Sequence, residues 1–364
     1  MRLSTRPFPA RNSEGLPLPS SEYADAGVDV RKVGRIHLSL AEELGKTFTN
    51  RKGKTGGPLI PIGHYAGLID LGGSSALALH TDGVGTKVLI AQLMKKFDTI
   101  GIDCVAMTVN DLVCLGAEPV ALLDYIALQR ENEALVSQLT KGLAEGAKLA
   151  STAIVGGETA ILGGMVKGTG GNGFDLVSMG VGLVGKSAVV DGSKIENGDA
   201  VLGVASSGLH SNGYTLARKV LRRRSLDEKM DELGTSLGEA LLTPTCIYVK
   251  PVLSATRKSE VHGIGHITGG SFAKLARLVR GRRLKFELEL PLPPPIFGVL
   301  QREGRLADIQ MYETFNMGIG LCMVVPEAEL GSVARGFRRD GFDTYDLGNV
   351  RTGRGVTVNG IDLG

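Results

Sequence analysis

The sequence is poor in several residue types, and each shortage narrows what the protein can be. It has no tryptophan, 5% aromatic residues and four cysteines in 364 residues. The cysteines are widely spaced without a CxxC pair, which favours reduced thiols and a cytoplasmic location over a disulfide framework. No run of 18 apolar residues occurs, so we expect no membrane association. The net charge of +3 is too small to indicate a nucleic-acid partner.

Glycine, in contrast, is abundant. The chain has 52 glycines, about twice the usual share. Many stand where an apolar strand gives way to a loop, as is typical of α/β proteins that handle phosphates. Strand and helix patterns alternate from about residue 59 onward. We therefore expect an α/β (α+β) protein of two domains, residues 23–187 and 188–364, after a flexible N-terminal arm at 1–22.

The most informative stretch is TIGIDCVAMTVNDLVCLGAEP, residues 99–119. Its pattern predicts a helix over 99–116 that is apolar enough to be buried, yet it contains Asp103, Asn110 and Asp111. Gly116 supplies a stop signal, and a proline follows. A buried carboxylate requires a partner. The sequence leaves two candidates open, an internal lysine or arginine and a hard cation such as Mg²⁺.

Two further acidic motifs follow predicted strands. SALALHTDGVGTK (75–87) places Asp82 and Lys87 in a glycine-rich loop, and TAIVGGETA (152–160) places Glu158 after two glycines. Mg²⁺ takes one or two protein carboxylates and fills its other positions with water and phosphate oxygens. Each motif alone is weak, because Asp-Gly also forms ordinary turns. Together they predict phosphoryl chemistry on a nucleotide.

The second half contains two junctions in which a strand, a glycine-containing loop and a helix follow one another. These are SSGLHSNG at 206–213 and HITGGSF at 266–272. Such a junction either binds an anion with its free backbone N–H groups or simply caps the helix. For His80, His210 and His266, each considered alone, a packing role is favoured over a catalytic one.

Several motifs, taken together, resemble one enzyme family. They are YADAGVD (23–29), TDGVGTK (81–87), DTIGIDCVAMTVNDLVCLGAEP (98–119), GGETA (156–160), DGSK (191–194), SSGLHSNGY (206–214), HITGGSF (266–272) and TFNMGIG (314–320). In this order and spacing they are similar to the phosphoribosylformylglycinamidine cyclo-ligases, also called aminoimidazole ribonucleotide synthetases. The resemblance covers roughly residues 22 to 350.

The resemblance implies a fold, a reaction and an assembly. The fold is that of a two-domain ATP-binding superfamily, in which the N-terminal sheets of two chains form a β-barrel across a homodimer and a C-terminal α/β domain packs against it. The reaction converts formylglycinamidine ribonucleotide and ATP to 5-aminoimidazole ribonucleotide, ADP and phosphate, in purine biosynthesis. The implied cofactors are ATP and Mg²⁺.

The resemblance also implies roles for particular residues. Metal ligands would be Asp82, Asp111 and Glu158. The nucleotide would contact these three and Gly83, Gly85, Lys87, Asp103, Asn110 and Gly157. The substrate would contact Ser207, His210, Asn212, Thr268, Gly269 and Gly270. Lys87, His210 and His266 are the candidate catalytic groups. Asp25 and Asp29, in the N-terminal motif, would either fold over the nucleotide or form a surface turn.

The sequence departs from the family pattern at several places. A glycine-dense loop is replaced by PIGHYAGLIDLG at 61–72, and Gln310 stands where the family has a glutamate. The alternatives are another kinase of the superfamily, such as thiamine-monophosphate kinase, and a non-catalytic nucleotide-binding homologue. The first lacks the paired SSGLHSNGY and HITGG motifs in this form. The second has no need for Asp82, Lys87, Asp111 and Glu158.

Overall fold

The computed structural model describes residues 30–364. The expected arm at 1–22, and Asp25 and Asp29 of the first family motif, lie outside the described residues. The described chain begins with helix α1 (Val30–Gly45) and a 3₁₀ turn (Lys46–Arg51). The limits of the two expected domains stay a prediction.

A five-stranded sheet organises the first half. Its strands are β1 (Gly67–Asp70), β2 (Ser75–Gly83), β3 (Glu118–Leu128), β4 (Ala153–Ile161) and β5 (Phe174–Gly185). They lie in the order β1-β2-β5-β3-β4. All neighbours are antiparallel except β3 and β4, which are parallel. The connection from β3 to β4 therefore needs a crossover helix, and α4 (Glu133–Ala150) supplies it.

One face of this sheet is covered by helices. Helices α2 (Val88–Met94) and α3 (Ile100–Val113) follow β2, and α3 is buried along almost its whole length, as its apolar sequence predicts. Gly116 has a φ of +72°, which ends the helical segment as expected. Helix α4 lies so close to α3 that a Cβ on Gly101 would stand 2.1 Å from the backbone nitrogen of Leu143. Only glycine permits this approach.

The opposite face of the same sheet carries exposed apolar side chains. Side chains alternate between the two faces of a strand, and the row on this outer face is apolar. Its exposed members include Val120, Leu123, Tyr125, Val155, Met179 and Leu183. Half of a barrel is thus present in a single chain.

The second half contains a seven-stranded mixed sheet in the order β14-β13-β10-β12-β6-β11-β9. Its strands are β6 (Ala200–Ala205), β9 (Gly263–His266), β10 (Leu284–Leu288), β11 (Ile319–Val325), β12 (Thr344–Thr352), β13 (Gly355–Val358) and β14 (Ile361–Asp362). Two short strands, β7 (Lys229–Met230) and β8 (Thr235–Ser236), form a separate ribbon. Strand β11 is buried throughout.

The remaining helices belong to the second half of the chain. They are α5 (Tyr214–Val220), α6 (Leu237–Leu242), α7 (Val249–Lys258), α8 (Pro295–Gly304), α9 (Asp308–Thr314) and α10 (Leu330–Arg339), with a 3₁₀ segment at Ser271–Val279. Across the described part of the chain, no helix combines the length and hydropathy needed to cross a bilayer. The four cysteines are all free, and three of them are buried.

Candidate active site

A group of charged and polar side chains collects where β2 and α3 of the first half meet β9 and the 3₁₀ segment of the second. We call it the cleft cluster, and its members are His80, Asp82, Asp111, His266 and Lys274. Strand β2 supplies the first two, because residues 80 and 82 point to the same face of the strand. Helix α3 supplies Asp111.

Asp111 lies between two imidazoles. Its Oδ1 lies 2.7 Å from His266 Nδ1, and its Oδ2 lies 3.3 Å from His80 Nε2. The Oδ2 of Asp82 lies 4.0 Å from the same His80 nitrogen. The carboxylates of Asp82 and Asp111 thus both approach His80 Nε2, a nitrogen that can carry positive charge.

The pKa values reflect this arrangement. Burial acts to raise the pKa of Asp111, but the hydrogen bond from His266 and the charges of His80 and Lys274 bring it below its ordinary value. Burial acts to lower the pKa of His80, yet Asp82 and Asp111 raise it above its ordinary value. Asp111 is therefore an ionised carboxylate, and His80 binds a proton more tightly than a free histidine.

Lys274 is a cation of the cleft that the sequence motifs did not identify. Its Nζ donates to Thr268 Oγ1. Burial and the nearby Arg277 lower its pKa, while Asp111 and Asp82 act in the opposite direction. An ammonium has three donors, so the contact with Thr268 leaves capacity for the oxygens of an anion. The only sequence signal was its place one turn after the HITGG motif.

The three expected metal ligands are not brought together in one chain. Asp82 is paired in register with Ser178, whose side chain contacts α3, so Asp82 lies on the covered face of the sheet. Glu158 is paired with Tyr125 of the exposed face. Its carboxylate accepts from the backbone nitrogen of Thr159 at 2.9 Å. Within residues 30–364, no group of three or more acidic, histidine or cysteine side chains is arranged to hold a metal ion.

Lys87 and Asp103 also differ from the expectation. Lys87 is completely buried, and its Nζ lies 2.8 Å from Asp103 Oδ2. Of the two candidate partners for this carboxylate, the structure thus provides the internal lysine. Burial lowers the pKa of Lys87, and Asp103 opposes that effect. The side chain points away from solvent, so it is not placed to meet the phosphates of a nucleotide in the cleft.

The loop at 206–213 places its histidine inward. His210 is 1% exposed, and its Nε2 accepts from the backbone nitrogens of Ser207 at 3.2 Å and Cys246 at 3.4 Å. Burial lowers its pKa well below the ordinary value, and the charges of His266 and Lys87 add to that shift. His210 is therefore a neutral ring with its proton on Nδ1. It is a packing group in this structure, which disfavours a role as proton donor at neutral pH.

Of the other expected substrate residues, Thr268 contacts the cleft cluster and Gly269 lies beside Asn212. A Cβ on Gly269 would stand 3.1 Å from Asn212 Oδ1, so the two loops are in contact there. Thr268 lies beside Lys274, and Gly270 has a φ of +86°. The contact between Thr268 and Lys274 joins the loop at 266–270 to the cleft cluster.

The glycines that were expected to bind the nucleotide lie at two separate places. Gly83 and Gly85 follow directly on Asp82, and Gly85 has a φ of +69°. Gly157 lies in β4 beside Asp124, whose Oδ1 would be 2.5 Å from an added Cβ. A separate run, GVGLVGKS at 180–187, fits the P-loop pattern GxxxxGK[ST]. Residues 180–185 of this run are the extended end of β5, and Lys186 and Ser187 begin a 3₁₀ turn, so the run is not a P-loop.

Comparisons with known proteins agree with this architecture. The family described as AIR synthase related protein matches with its N-terminal domain at residues 63–184 and its C-terminal domain at residues 196–361. The chain is 46% identical to the phosphoribosylformylglycinamidine cyclo-ligase of Thermococcus kodakarensis, over 94% of this chain and 98% of the relative. It is 46% identical to that of Methanosarcina barkeri, over 86% and 91%.

Solved structures of lower identity share the fold. One is AaThiL complexed with AMPPCP and TMP, with a TM-score of 0.64 and 19% identity, covering 92% of this chain and 96% of that one. This likeness concerns the fold alone. The two matching domains and the relatives that span nearly the whole sequence show that the chain belongs to the phosphoribosylformylglycinamidine cyclo-ligase family.

Proposed function

We propose that the protein closes the imidazole ring of 5-aminoimidazole ribonucleotide from formylglycinamidine ribonucleotide, with ATP converted to ADP and phosphate. The observation that carries the proposal is the cleft cluster, which gathers two carboxylates, two histidines and a lysine between the domains of a chain that is 46% identical to curated cyclo-ligases. Thiamine-monophosphate kinase is not favoured, because the likeness to it is one of fold at 18% identity.

The chemistry requires charge neutralisation more than covalent catalysis. An amidine nitrogen attacks the formamide carbon, whose oxygen leaves poorly as hydroxide. Phosphorylation of that oxygen by ATP converts it into phosphate, which leaves when the C–N bond has formed. Phosphoryl transfer depends mainly on positioning and on groups that stabilise negative charge. Lys274, beside Thr268 and facing the cleft, is suited to hold the transferred group.

Magnesium fits the donor set of the cleft. Asp82 and Asp111 are oxygen ligands of the kind that Mg²⁺ prefers. They converge on His80 Nε2 from 4.0 Å and 3.3 Å. Two carboxylates suffice for an ion that completes its shell with water and phosphate. When bound, Mg²⁺ neutralises the charge of the ATP phosphates.

The chain's own residues orient one another around this site. Asp111 accepts through Oδ1 from His266 Nδ1 at 2.7 Å, and Nε2 of that ring faces Asn110. Asn110 Nδ2 approaches this Nε2 at 3.4 Å. His266 therefore acts by holding the carboxylate in place. We propose that Asn212, Thr268, Gly269 and Gly270 bind the substrate, and that Ser207 and His210 shape their loop.

We also propose a homodimer in which the outer sheet faces of two chains meet. The exposed row of Leu123, Tyr125 and Met179 supports this, because soluble monomers rarely leave so many large apolar side chains in one patch. Glu158 stands on that same face, so any contribution it makes to a nucleotide site involves the second copy. Free cysteines support a cytoplasmic location.

The direct test is a product assay. Purified protein with formylglycinamidine ribonucleotide, ATP and Mg²⁺ should release ADP and phosphate together with 5-aminoimidazole ribonucleotide. A parallel reaction with thiamine monophosphate as the acceptor should consume no ATP. Turnover of ATP without the imidazole product, or phosphorylation of thiamine monophosphate, would contradict the proposal.

A further inference from the structure

We infer that Lys87, Asp103 and Asn110 form an inter-domain brace that positions the substrate loop 206–213, and that none of the three acts on the nucleotide. The brace consists of these three side chains and nothing else. This inference rests on the proposed function, because the loop is called the substrate loop on that basis. The resemblance assigned all three residues to ATP, whereas their contacts lead to the C-terminal half.

All the hydrogen-bond donors of the Lys87 ammonium are used inside the protein. Its Nζ donates to Asp103 Oδ1 at 2.9 Å, to the carbonyl oxygen of His210 at 3.1 Å and to that of Thr243 at 2.7 Å. An ammonium has three N–H donors, and all three are engaged. The same Nζ lies 5.7 Å from the ring centroid of Tyr214, the residue that follows the loop. No donor remains for a phosphate oxygen.

The segment 243–248 runs beside α3 and is hydrogen-bonded to its polar side chains. Asp103 Oδ1 accepts from the Thr245 backbone nitrogen at 2.7 Å and from its Oγ1 at 2.6 Å. Asn110 donates from Nδ2 to the Cys246 carbonyl at 2.8 Å and accepts from the Tyr248 nitrogen at 3.0 Å. Asp103 and Asn110 of α3 therefore form hydrogen bonds with the backbone of this segment at residues 245, 246 and 248.

The segment 243–248 is in turn hydrogen-bonded to the loop at 206–213. Ser207 Oγ donates to the Pro244 carbonyl oxygen. Cys246 N donates to His210 Nε2 at 3.4 Å, and Ser211 Oγ lies 3.1 Å from Thr245 Oγ1. His210 has a φ of +61°, a backbone conformation that persists only when its surroundings impose it. The hydrogen bond from Lys87 to the His210 carbonyl is one such constraint.

The brace lies directly beside the cleft cluster, which indicates its role. Asn110 and Asp111 are adjacent on α3, so the helix that presents a carboxylate to the cleft also holds the substrate loop. In a buried, low-dielectric environment, hydrogen bonds and an ion pair that join the same few side chains restrict them to one arrangement. The brace thus fixes the distance between the two reactants, on which phosphoryl transfer depends strongly.

The test compares whole-protein variants. Lys87→Met/Asp103→Asn removes both charges while the new amide still accepts from Thr245 N. Thr245→Val removes one hydroxyl from Asp103 and serves if the pair variant does not fold. The matched control is Thr86→Val, which removes a hydroxyl contact of 3.1 Å with Thr215 between the same halves of the chain. Folding is checked by thermal denaturation.

For the pair variant we expect the KM for formylglycinamidine ribonucleotide to rise about tenfold or more, with a smaller change for Thr245→Val and none beyond about twofold for Thr86→Val. Calorimetry with Mg²⁺ and a non-hydrolysable ATP analogue should give a dissociation constant within about twofold of that of the unmodified protein. Hydrogen exchange at 206–213 should accelerate while exchange in β2 and β5 stays unchanged.

The opposite result overturns the inference. A loss of affinity for the ATP analogue with an unchanged KM for the ribonucleotide would make Lys87 a nucleotide ligand after all. Unchanged KM and unchanged hydrogen exchange would also refute the brace. If the unmodified protein forms no 5-aminoimidazole ribonucleotide, the proposed function fails, and the exchange of the loop alone then decides whether the brace exists.

Discussion

Asp111 and His266 meet across the boundary between the two halves of the chain, with Oδ1 2.7 Å from Nδ1. The two residues are separated by 155 positions in the sequence. The contact links the helix that covers the N-terminal sheet to the edge strand of the C-terminal sheet. It also fixes which oxygen of Asp111 stays available to the cleft.

Replacement of Asp111 should separate binding from folding. Asp111→Asn keeps an oxygen for His266 but removes the charge, so Mg²⁺-dependent nucleotide affinity should fall by about tenfold or more. Titration calorimetry with the ATP analogue, with and without Mg²⁺, measures this. Asp340→Asn, at an exposed position directly after α10, is the control and should bind normally. Unchanged affinity in the Asp111 variant would refute the ligand role.

His80 should make stability depend on pH. Its folded-state pKa is raised above the ordinary value of 6.5, so its proton stabilises the fold. That stabilisation is fully present below pH 6.5 and is lost as the pH rises through the raised pKa. The Tm difference between the unmodified protein and His80→Gln should therefore be largest at acid pH and shrink toward alkaline pH. A difference that grows with pH would contradict this assignment.

Lys274 should matter for turnover. Lys274→Met removes a cation that faces Asp111 and Thr268, so kcat should fall by about 10² if it stabilises the transferred phosphoryl group. Lys141→Met, on the exposed side of α4, is the matched control. Steady-state assays of 5-aminoimidazole ribonucleotide formation measure both. A kcat for Lys274→Met within about twofold of the unmodified value would exclude this role.

The exposed sheet face should govern assembly. Leu123 is 41% exposed on the outer face of β3, and Leu123→Glu should convert the proposed dimer into monomers because it places a charge in an apolar interface. Light scattering coupled to size exclusion reports the mass. Leu292→Glu, at a leucine that is 78% exposed in the second half, should leave the mass unchanged. A monomeric unmodified protein would refute the interface.

The contact between α3 and α4 should tolerate no side chain at Gly101. A Cβ there would stand 2.4 Å from the Leu139 carbonyl oxygen, so Gly101→Ala should cost about 1–3 kcal/mol or more of unfolding free energy. Gly298→Ala in α8, where an added Cβ meets nothing within 4 Å, should instead stabilise the protein by about 0.5–1 kcal/mol. Denaturant titrations compare the two, and equal effects would contradict the packing argument.

Much of the fold follows from local sequence patterns. Apolar patterns and glycine stops are local signals, and they predict strands at 75–80, 120–127 and 174–184 and a buried helix over 99–116. The structure has strands at 75–83, 118–128 and 174–185 and helix α3 at these places. The face on which Glu158 lies was not predictable. A register shift between Leu122 and Leu123 decides which residues of β4 face which side, and a shift of one residue reverses that orientation.

The partners of the buried charges were equally hidden. Lys87 meets Asp103 after 16 positions but Thr243 only after 156, and nothing in the TDGVGTK motif indicates a carbonyl oxygen from the other half of the chain. Lys274 lies outside any glycine motif, so its side chain could be assigned to the cleft only when the fold had placed it there. Site residues of this kind depend on tertiary packing and not on local propensity.

The strand order of the first sheet has a consequence for synthesis of the protein. Strand β5 is the last to be translated, yet it lies in the middle, between β2 and β3. Until residue 185 leaves the ribosome, β1–β2 and β3–β4 are two separate pieces with unsatisfied edges. Until β5 is available to pair with both β2 and β3, the exposed strand edges of the nascent chain can pair wrongly. We therefore expect misfolding to occur most readily during this interval of synthesis, when chaperone binding matters most.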